Sequence, residues 1–199
     1  PQDGVEARDG EIVFTGSMDW MPNEEGIAWF VRDILPRIRR EVPGAHLSIV
    51  GRNPTALVRS LGSEAVEVTG TVPDIRPYLQ RASAVVVPLR VGGGTRLKIF
   101  EAMAMECAIV STTIGAEGLP VGDGEHLRIA DTPEGFASAV VSILRDRAAA
   151  RRLGEASAAL VRQRFGWASV TDDFIAACEA TVARWREGAA RRTPPGRAA

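Results

Sequence analysis

Lysine is almost absent from this chain. Of 24 basic residues, Lys98 is the one lysine and every other is arginine. A lysine that survives such a bias suits a site that wants a compact ammonium rather than a planar guanidinium. Cysteine and histidine are as scarce, with Cys107, Cys178, His46 and His126 the full set. None has a partner at metal-ligand spacing and the two thiols lie far apart, which argues against zinc chemistry, Ser-His-Asp catalysis within this chain and a disulfide framework. The thiols point to a reducing compartment. No apolar run approaches the roughly 18 residues that a membrane span needs. Neither sign of charge is in excess, since the formal net charge is -1. A broad phosphate-neutralising face, and with it a nucleic-acid partner, is therefore not expected. There is no G-x-G-x-x-G after the first strand and no G-x-x-x-x-G-K-[ST], which argues against dinucleotide dehydrogenases and P-loop enzymes. The opening Pro1, Gln2, Asp3 and Gly4 include no Met and no apolar stretch, so the sequence reads as starting inside something larger or as trimmed.

What is present is an ordinary globular composition over 199 residues, 45% apolar and 25% charged, enough to bury a core. Short apolar runs alternate with helical patterns. Strands are expected at Glu11–Thr15, His46–Gly51, Val66–Gly70, Ala84–Pro88, Ala108–Thr112 and Leu127–Ala130. Ala84 to Val87 is continuously apolar, as in a strand covered on both faces. Helices are expected at Asn23–Arg40, where Ile27, Phe30, Val31, Ile34, Leu35 and Ile38 recur at helical spacing, at Thr55–Leu61 and at Ile75–Ala82. Further helices are expected at Thr95–Glu106, Pro133–Arg145, Ala148–Arg164 and Trp167 to about Arg186. Strands separated by helices with short connections imply a doubly wound, Rossmann-like α/β fold with about six parallel strands. Ligands are then expected at the carboxyl ends of the strands, near the topological switch point. Residues 1–190 read as one domain, and Arg191–Ala199 as a disordered tail.

The turn-forming strand ends Gly16-Ser17, Gly51 to Pro54, Gly70 to Asp74 and Pro88 to Thr95 converge on that edge. Gly16 and Ser17 would let a ligand approach the first strand closely, or they form a plain tight turn. The strongest local signal is Gly92, Gly93 and Gly94 followed by Thr95 and a helix. Glycines before a helix leave backbone N–H groups free to face an anion, and the helix end adds about half a positive charge. Thr95 is suited to cap that helix. At about 100° per residue, Lys98 and Glu101 lie about 60° apart, whereas Arg96 lies about 160° from Lys98. Lys98 is thus assigned to phosphate and Glu101 to a neighbouring pair of ribose hydroxyls, with Arg96 left at the surface or behind the site. No Asp-x-Asp lies near the cradle, so no metal is implied.

The run Phe14 to Trp20 with Pro22-Asn23, then Ile49 to Gly51, Val68 to Gly70 with Val72 and Asp74, and Gly92 to Lys98 with Glu101 to Ala104 resembles the C-terminal half of a family 4 (group 1) glycosyltransferase. Ser111, Thr112 and Gly115 to Leu119 continue that order. The resemblance covers about Glu11 to Trp185. It implies the C-terminal, donor-binding half of a GT-B fold, with the N-terminal domain absent from this chain. It also implies transfer of a hexosyl group from a nucleotide-diphosphate sugar to a glycan or lipid-linked acceptor, retaining and without metal or other cofactor. By position, Glu101 would bind the donor ribose, Gly16 would lie near the phosphates and backbone from Gly70 to Val72 would meet the base. Gly93 stands where such enzymes carry a glutamate that touches the sugar, and Pro22 where many carry a basic residue near the diphosphate. Lys98 becomes the candidate for stabilising the leaving diphosphate, with Gly16, Ser17, Gly70, Val72, Gly92, Gly93, Gly94, Thr95 and Glu101 around the donor. The setting implied is cytoplasmic, with the tail arginines able to favour the inner face of a membrane. A nucleotide-sugar epimerase half, a non-catalytic nucleotide-binding module and a scaffold role for the C-terminal helices are the rival readings. In the last, Phe165, Trp167, Phe174 and Trp185 pack against the sheet or an absent domain.

Overall fold

The computed structural model of this chain describes residues 9–94 and 96–192. In chain order it contains β1 (Glu11–Thr15), α1 (Met21–Trp29), a π-helical turn (Phe30–Ile34), α2 (Leu35–Glu41), β2 (His46–Val50), α3 (Ala56–Ser60), β3 (Val66–Gly70) and α4 (Arg76–Arg81). There follow β4 (Ala84–Val87), α5 (Leu97–Ala104), β5 (Ile109–Ser111), β6 (Arg128–Ile129), α6 (Pro133–Arg145), α7 (Arg147–Arg164) and α8 (Trp167–Arg192). All six strands are parallel, in the order β3-β2-β1-β4-β5-β6. This is the expected Rossmann-like α/β sheet. Chain order reverses between β1 and β4, which leaves a crevice beyond their carboxyl ends. Every residue of β1 and β4 is buried, as central strands with helices on both faces require.

The helix expected at Asn23–Arg40 is interrupted. Pro36 has no N–H to give and its ring crowds the preceding turn. The chain widens into the π turn just before it, and Arg37 Nη1 donates to the Asp33 carbonyl (2.5 Å). On the same side of the sheet, α6 starts at a Thr132 cap whose hydroxyl accepts from Gly135 N–H (3.1 Å), with Pro133 in the first turn. It buries Phe136, Ala137, Ala139, Val140, Val141 and Ile143. Phe136 meets Trp29 and Phe30 edge-to-face, at 6.1 and 5.8 Å between ring centroids, and joins α6 to the α1 region.

Two compact units divide the chain, Pro1–Ala159 and Leu160–Ala199. The first holds the sheet and α1 to α6. In the second, α8 runs past the expected end at Arg186 to Arg192, so its last turn takes in the start of the expected tail; residues 193–199 lie outside the described residues. Phe165, Trp167, Phe174 and Trp185 are exposed side chains. No helix among the described residues is long and apolar enough to cross a membrane.

Candidate functional site

At the switch point a cavity of about 530 Å³ opens beyond the sheet, within the size range of small-ligand sites. The end of β1 lends Thr15, Gly16 and Ser17 to its wall, and the end of β2 lends Val50, Gly51 and Arg52. Thr71, Val72 and Ile75 come from the turn after β3, Val87 and Leu89 from β4 and its exit, and Trp20 and Asn23 from the entry to α1. Arg96, Leu97, Lys98 and Glu101 close it from α5 and the residue before it. The ends of β1 and β2 touch backbone to backbone. Gly16 N–H donates to the Val50 carbonyl (3.1 Å), and a Cβ at Gly51 would lie 1.7 Å from the Gly16 oxygen. Gly51 also has a φ of +154°, so glycine is required there.

The structure brings together Gly16, Ser17, Val72, Lys98 and Glu101 of the residues expected at the site. Gly70, Gly92, Gly93 and Gly94 do not line the cavity. Gly92 and Gly94 adopt φ of +126° and +92°, which carry the glycine run over the exposed surface. A Cβ at Gly92 would rest 3.3 Å from Pro22 Cβ and 3.5 Å from Trp20, so the run passes beside the rim. Thr95 lies outside the described residues, and the helix it was expected to cap begins two residues later, with Arg96 at the cap position and no side-chain capping bond.

Arg96 is therefore not where helical spacing puts it. Its φ and ψ of -83° and 49° lie outside the helix, so the 100° rule does not apply and the side chain turns inward. Arg96 is 6% exposed. Nη2 donates to the Ile114 carbonyl (2.7 Å) and reaches the Gly92 carbonyl and the Glu117 carboxylate at 3.4 Å each. Its Nε is buried with no hydrogen-bond partner among the described residues.

Lys98 is the better-defined cation. Its Nζ donates to Asn23 Oδ1 (2.5 Å) and stands 4.4 Å from the centroid of the Phe14 ring. Burial, and after it the charge of Arg96, lowers its pKa to about 7, while Glu101 pulls the other way. Glu101, one turn on, is exposed at the cavity wall. Asn23, read from the sequence as a helix start and as part of the Pro22-Asn23 pair in the family resemblance, is 3% exposed, and its Nδ2 donates to the Ser17 carbonyl (2.8 Å). One signal was available: Asn23 stands four residues before Ile27, a polar side chain on the apolar stripe of its helix. Arg52 was passed over as a turn residue. Its Nε donates to Ser17 Oγ (3.1 Å), and that hydroxyl donates to Asp19 Oδ1 (2.6 Å). Hydrogen bonds from Ser17 and Asn53 hold the Asp19 carboxyl below the usual range.

A sequence model of the family described as glycosyl transferases group 1 matches residues 9–146, a span that includes every residue lining this cavity. The chain belongs to that family. It is 27% identical over 141 residues to a Klebsiella pneumoniae protein named "Uncharacterized 44.6 kDa protein in cps region", covering 66% of this chain and 36% of that one. The chain thus spans little more than a third of the length of that relative. Among solved structures it resembles the C-terminal domain of the group 1 glycosyl transferase family protein LpcC from Francisella tularensis, with a TM-score of 0.62 and 18% identity over 82% of this chain and 89% of that one. It also resembles Anabaena Alr3699/HepE in complex with UDP, with a TM-score of 0.72 and 14% identity over 86% of this chain and 49% of that one. At such identities the likeness is one of fold.

Within this group 1 glycosyl transferase domain the cavity is cationic. Arg52, Arg96 and Lys98 face one lining carboxylate, Glu101. Such a wall, with a desolvated ammonium at its floor, favours an oxyanion over water. Asp19 stands behind this wall on Ser17, and Cys107, His46 and His126 lie elsewhere. Cys107 is buried, which pushes its thiol up to about 12 and keeps it unreactive. His46, at the opposite end of β2, lies 3.6 Å from the buried Glu11, and His126 Nδ1 accepts from Gly122 N–H (3.2 Å). No group of three or more His, Cys, Asp or Glu side chains that could hold a metal occurs among the described residues.

Proposed function

We propose that this cavity holds the nucleoside diphosphate of a nucleotide-sugar donor, and that the whole protein transfers its sugar, a hexosyl group, to a glycan or lipid-linked acceptor with retention of configuration. The observation that carries this reading is Lys98: the chain's one lysine, part-buried at the switch point beside Gly16, hydrogen-bonded to the neutral Asn23 and with Glu101 one turn on as the carboxylate of the cavity wall. A departing diphosphate gains charge as the glycosidic bond breaks. A fixed cation in a low-dielectric cleft stabilises that charge without having to reorganise. Arg52 and Arg96 supply the flanking positive field, and no resident metal is assigned to the task. In this reading Glu101, at the cavity wall, accepts from ribose hydroxyls and the turn at Thr71 and Val72 meets the base; that all three line the one cavity supports it. The structural likeness to HepE, crystallised with UDP, supports a nucleotide in this half of the fold. The acceptor and the far side of the sugar are assigned to the N-terminal half of the protein, so this chain alone should bind nucleotide without transferring sugar.

Calorimetry of the 199-residue chain with UDP, GDP and pyrophosphate tests the reading. Binding of one nucleotide, weakened at least tenfold by Lys98→Ala, is the expected outcome. Failure of UDP and GDP to bind at millimolar concentration would remove the assignment.

A further inference from the structure

The carboxamide of Asn23 is engaged at both ends, and the chemistry of its two partners dictates which way round it lies. The Ser17 carbonyl can only accept, so Nδ2 faces it; Lys98 in its ammonium form can only donate, so Oδ1 faces it. No other side chain of this size satisfies both. Aspartate would set a carboxylate oxygen against the Ser17 carbonyl and neutralise the ammonium. Leucine, of similar shape, would take the side-chain acceptor from the part-buried Lys98 ammonium and leave the Ser17 carbonyl with the longer bond from Trp20 N–H (3.4 Å). The carboxyl groups on the same helix are engaged elsewhere: Glu24 accepts from the Thr55 hydroxyl, and Glu25 pairs with Arg90 (2.9 Å to Nε). From β1, the ammonium meets the Phe14 ring and the open face of Gly16, where a Cβ would lie 3.0 Å from Nζ. The charged groups around it are Arg96 and Glu101 on its own segment and Arg52 across the cavity.

We propose that Asn23 is a positioning residue for Lys98: a buried neutral acceptor that holds the ammonium at the end of β1 and leaves its charge for the phosphate of the incoming donor. This rests on the reading that Lys98 meets the diphosphate, and it adds a consequence. The unliganded ammonium titrates near pH 7 because burial and Arg96 disfavour its charge. A bound phosphate restores a counter-charge and raises that pKa, so binding takes up a proton. Affinity is then fully present below pH 7 and declines as pH rises toward the pKa of the complex.

Because Lys98 is the chain's one lysine, ¹³C-lysine labelling gives a single side-chain resonance whose titration reads its pKa directly. That titration and UDP calorimetry between pH 6.5 and 9 are compared in the parent, Asn23→Asp and Asn23→Ala. The parent should lose affinity above pH 7 by up to about tenfold per pH unit. In Asn23→Asp the lysine titration should move up toward about 10.4, the affinity should become flat over this interval, and UDP binding at pH 7 should weaken by roughly tenfold as the new carboxylate competes with phosphate. Asn23→Ala, which adds no charge and guards against a misfolded aspartate variant, should also displace the lysine titration and weaken UDP binding by roughly fivefold through loss of one charge-assisted bond. Either folded variant with the parent's lysine titration and UDP profile overturns the proposal. Absence of UDP binding by the parent would instead remove the donor-site reading, and the lysine titrations would still report whether Asn23 holds Lys98.

Discussion

Gly16→Ala isolates the contact on which the site is built. The Gly16 φ is not positive, so alanine suits the backbone there and any cost comes from the methyl group alone. Built at ideal geometry, that methyl lies 2.6 Å from Asn23 Nδ2, 3.1 Å from Asn23 Cγ and 3.0 Å from Lys98 Nζ. Lys98 can swing away along its chain. Asn23 cannot move without surrendering its bond to the Ser17 carbonyl, since it is buried on the sheet side of α1. One neutral hydrogen bond of about 1 kcal/mol and part of a charged one of about 1.5–3 kcal/mol are at stake, within the 1–3 kcal/mol usual for overpacking. A loss of about 2 kcal/mol corresponds to roughly 4–8 °C in Tm for a unit of this size. The assay is urea or thermal unfolding of Gly16→Ala, Asn23→Ala and the double variant, with UDP calorimetry on each. If the methyl acts by displacing Asn23, its cost shrinks once Asn23 is alanine, by a coupling of at least about 0.5 kcal/mol. Strictly additive losses, or a Gly16→Ala chain as stable and as avid for UDP as the parent, would refute the reasoning.

Two further outcomes follow from burial. Phe136→Ala removes a fully buried ring held edge-to-face by Trp29 and Phe30 and should cost about 3–5 kcal/mol in urea unfolding, with the UDP affinity of the residual folded fraction unchanged. Lys98 also makes stability depend on pH. Its pKa of about 7 in the folded chain lies below the roughly 10.4 of an unfolded lysine, so the unfolded chain holds the extra proton between these values and stability should rise from pH 7 toward pH 10. Denaturant titrations of Lys98→Met against the parent across that interval should show the rise only in the parent; equal slopes would mean that Lys98 is solvated.

Much of the architecture could be read directly from residue patterns. The apolar runs at Glu11–Thr15 and Ala84–Val87 and the alternation of strands with helices were enough for a six-stranded parallel sheet. The helix expected at Pro133–Arg145 coincides with α6. The π turn before Pro36 was not legible, because apolar periodicity does not register a single widened turn. At the site, the composition singled out Lys98, and helical spacing set Glu101 beside it. The same spacing misplaced Arg96, since it assumed a helix that starts at Thr95 when the first helical residue is Leu97.

By itself, then, the sequence determined a parallel sheet of about six strands and singled out one ammonium on the helix after the glycine run, because period and composition are local properties. Only the tertiary structure decided what surrounds that ammonium. Asn23 stands 75 residues from Lys98, and Arg52 lies at the end of a neighbouring strand. Their meeting depends on how β1 and β2 end against each other at Gly16 and Gly51, a three-dimensional contact that no one-dimensional spacing encodes.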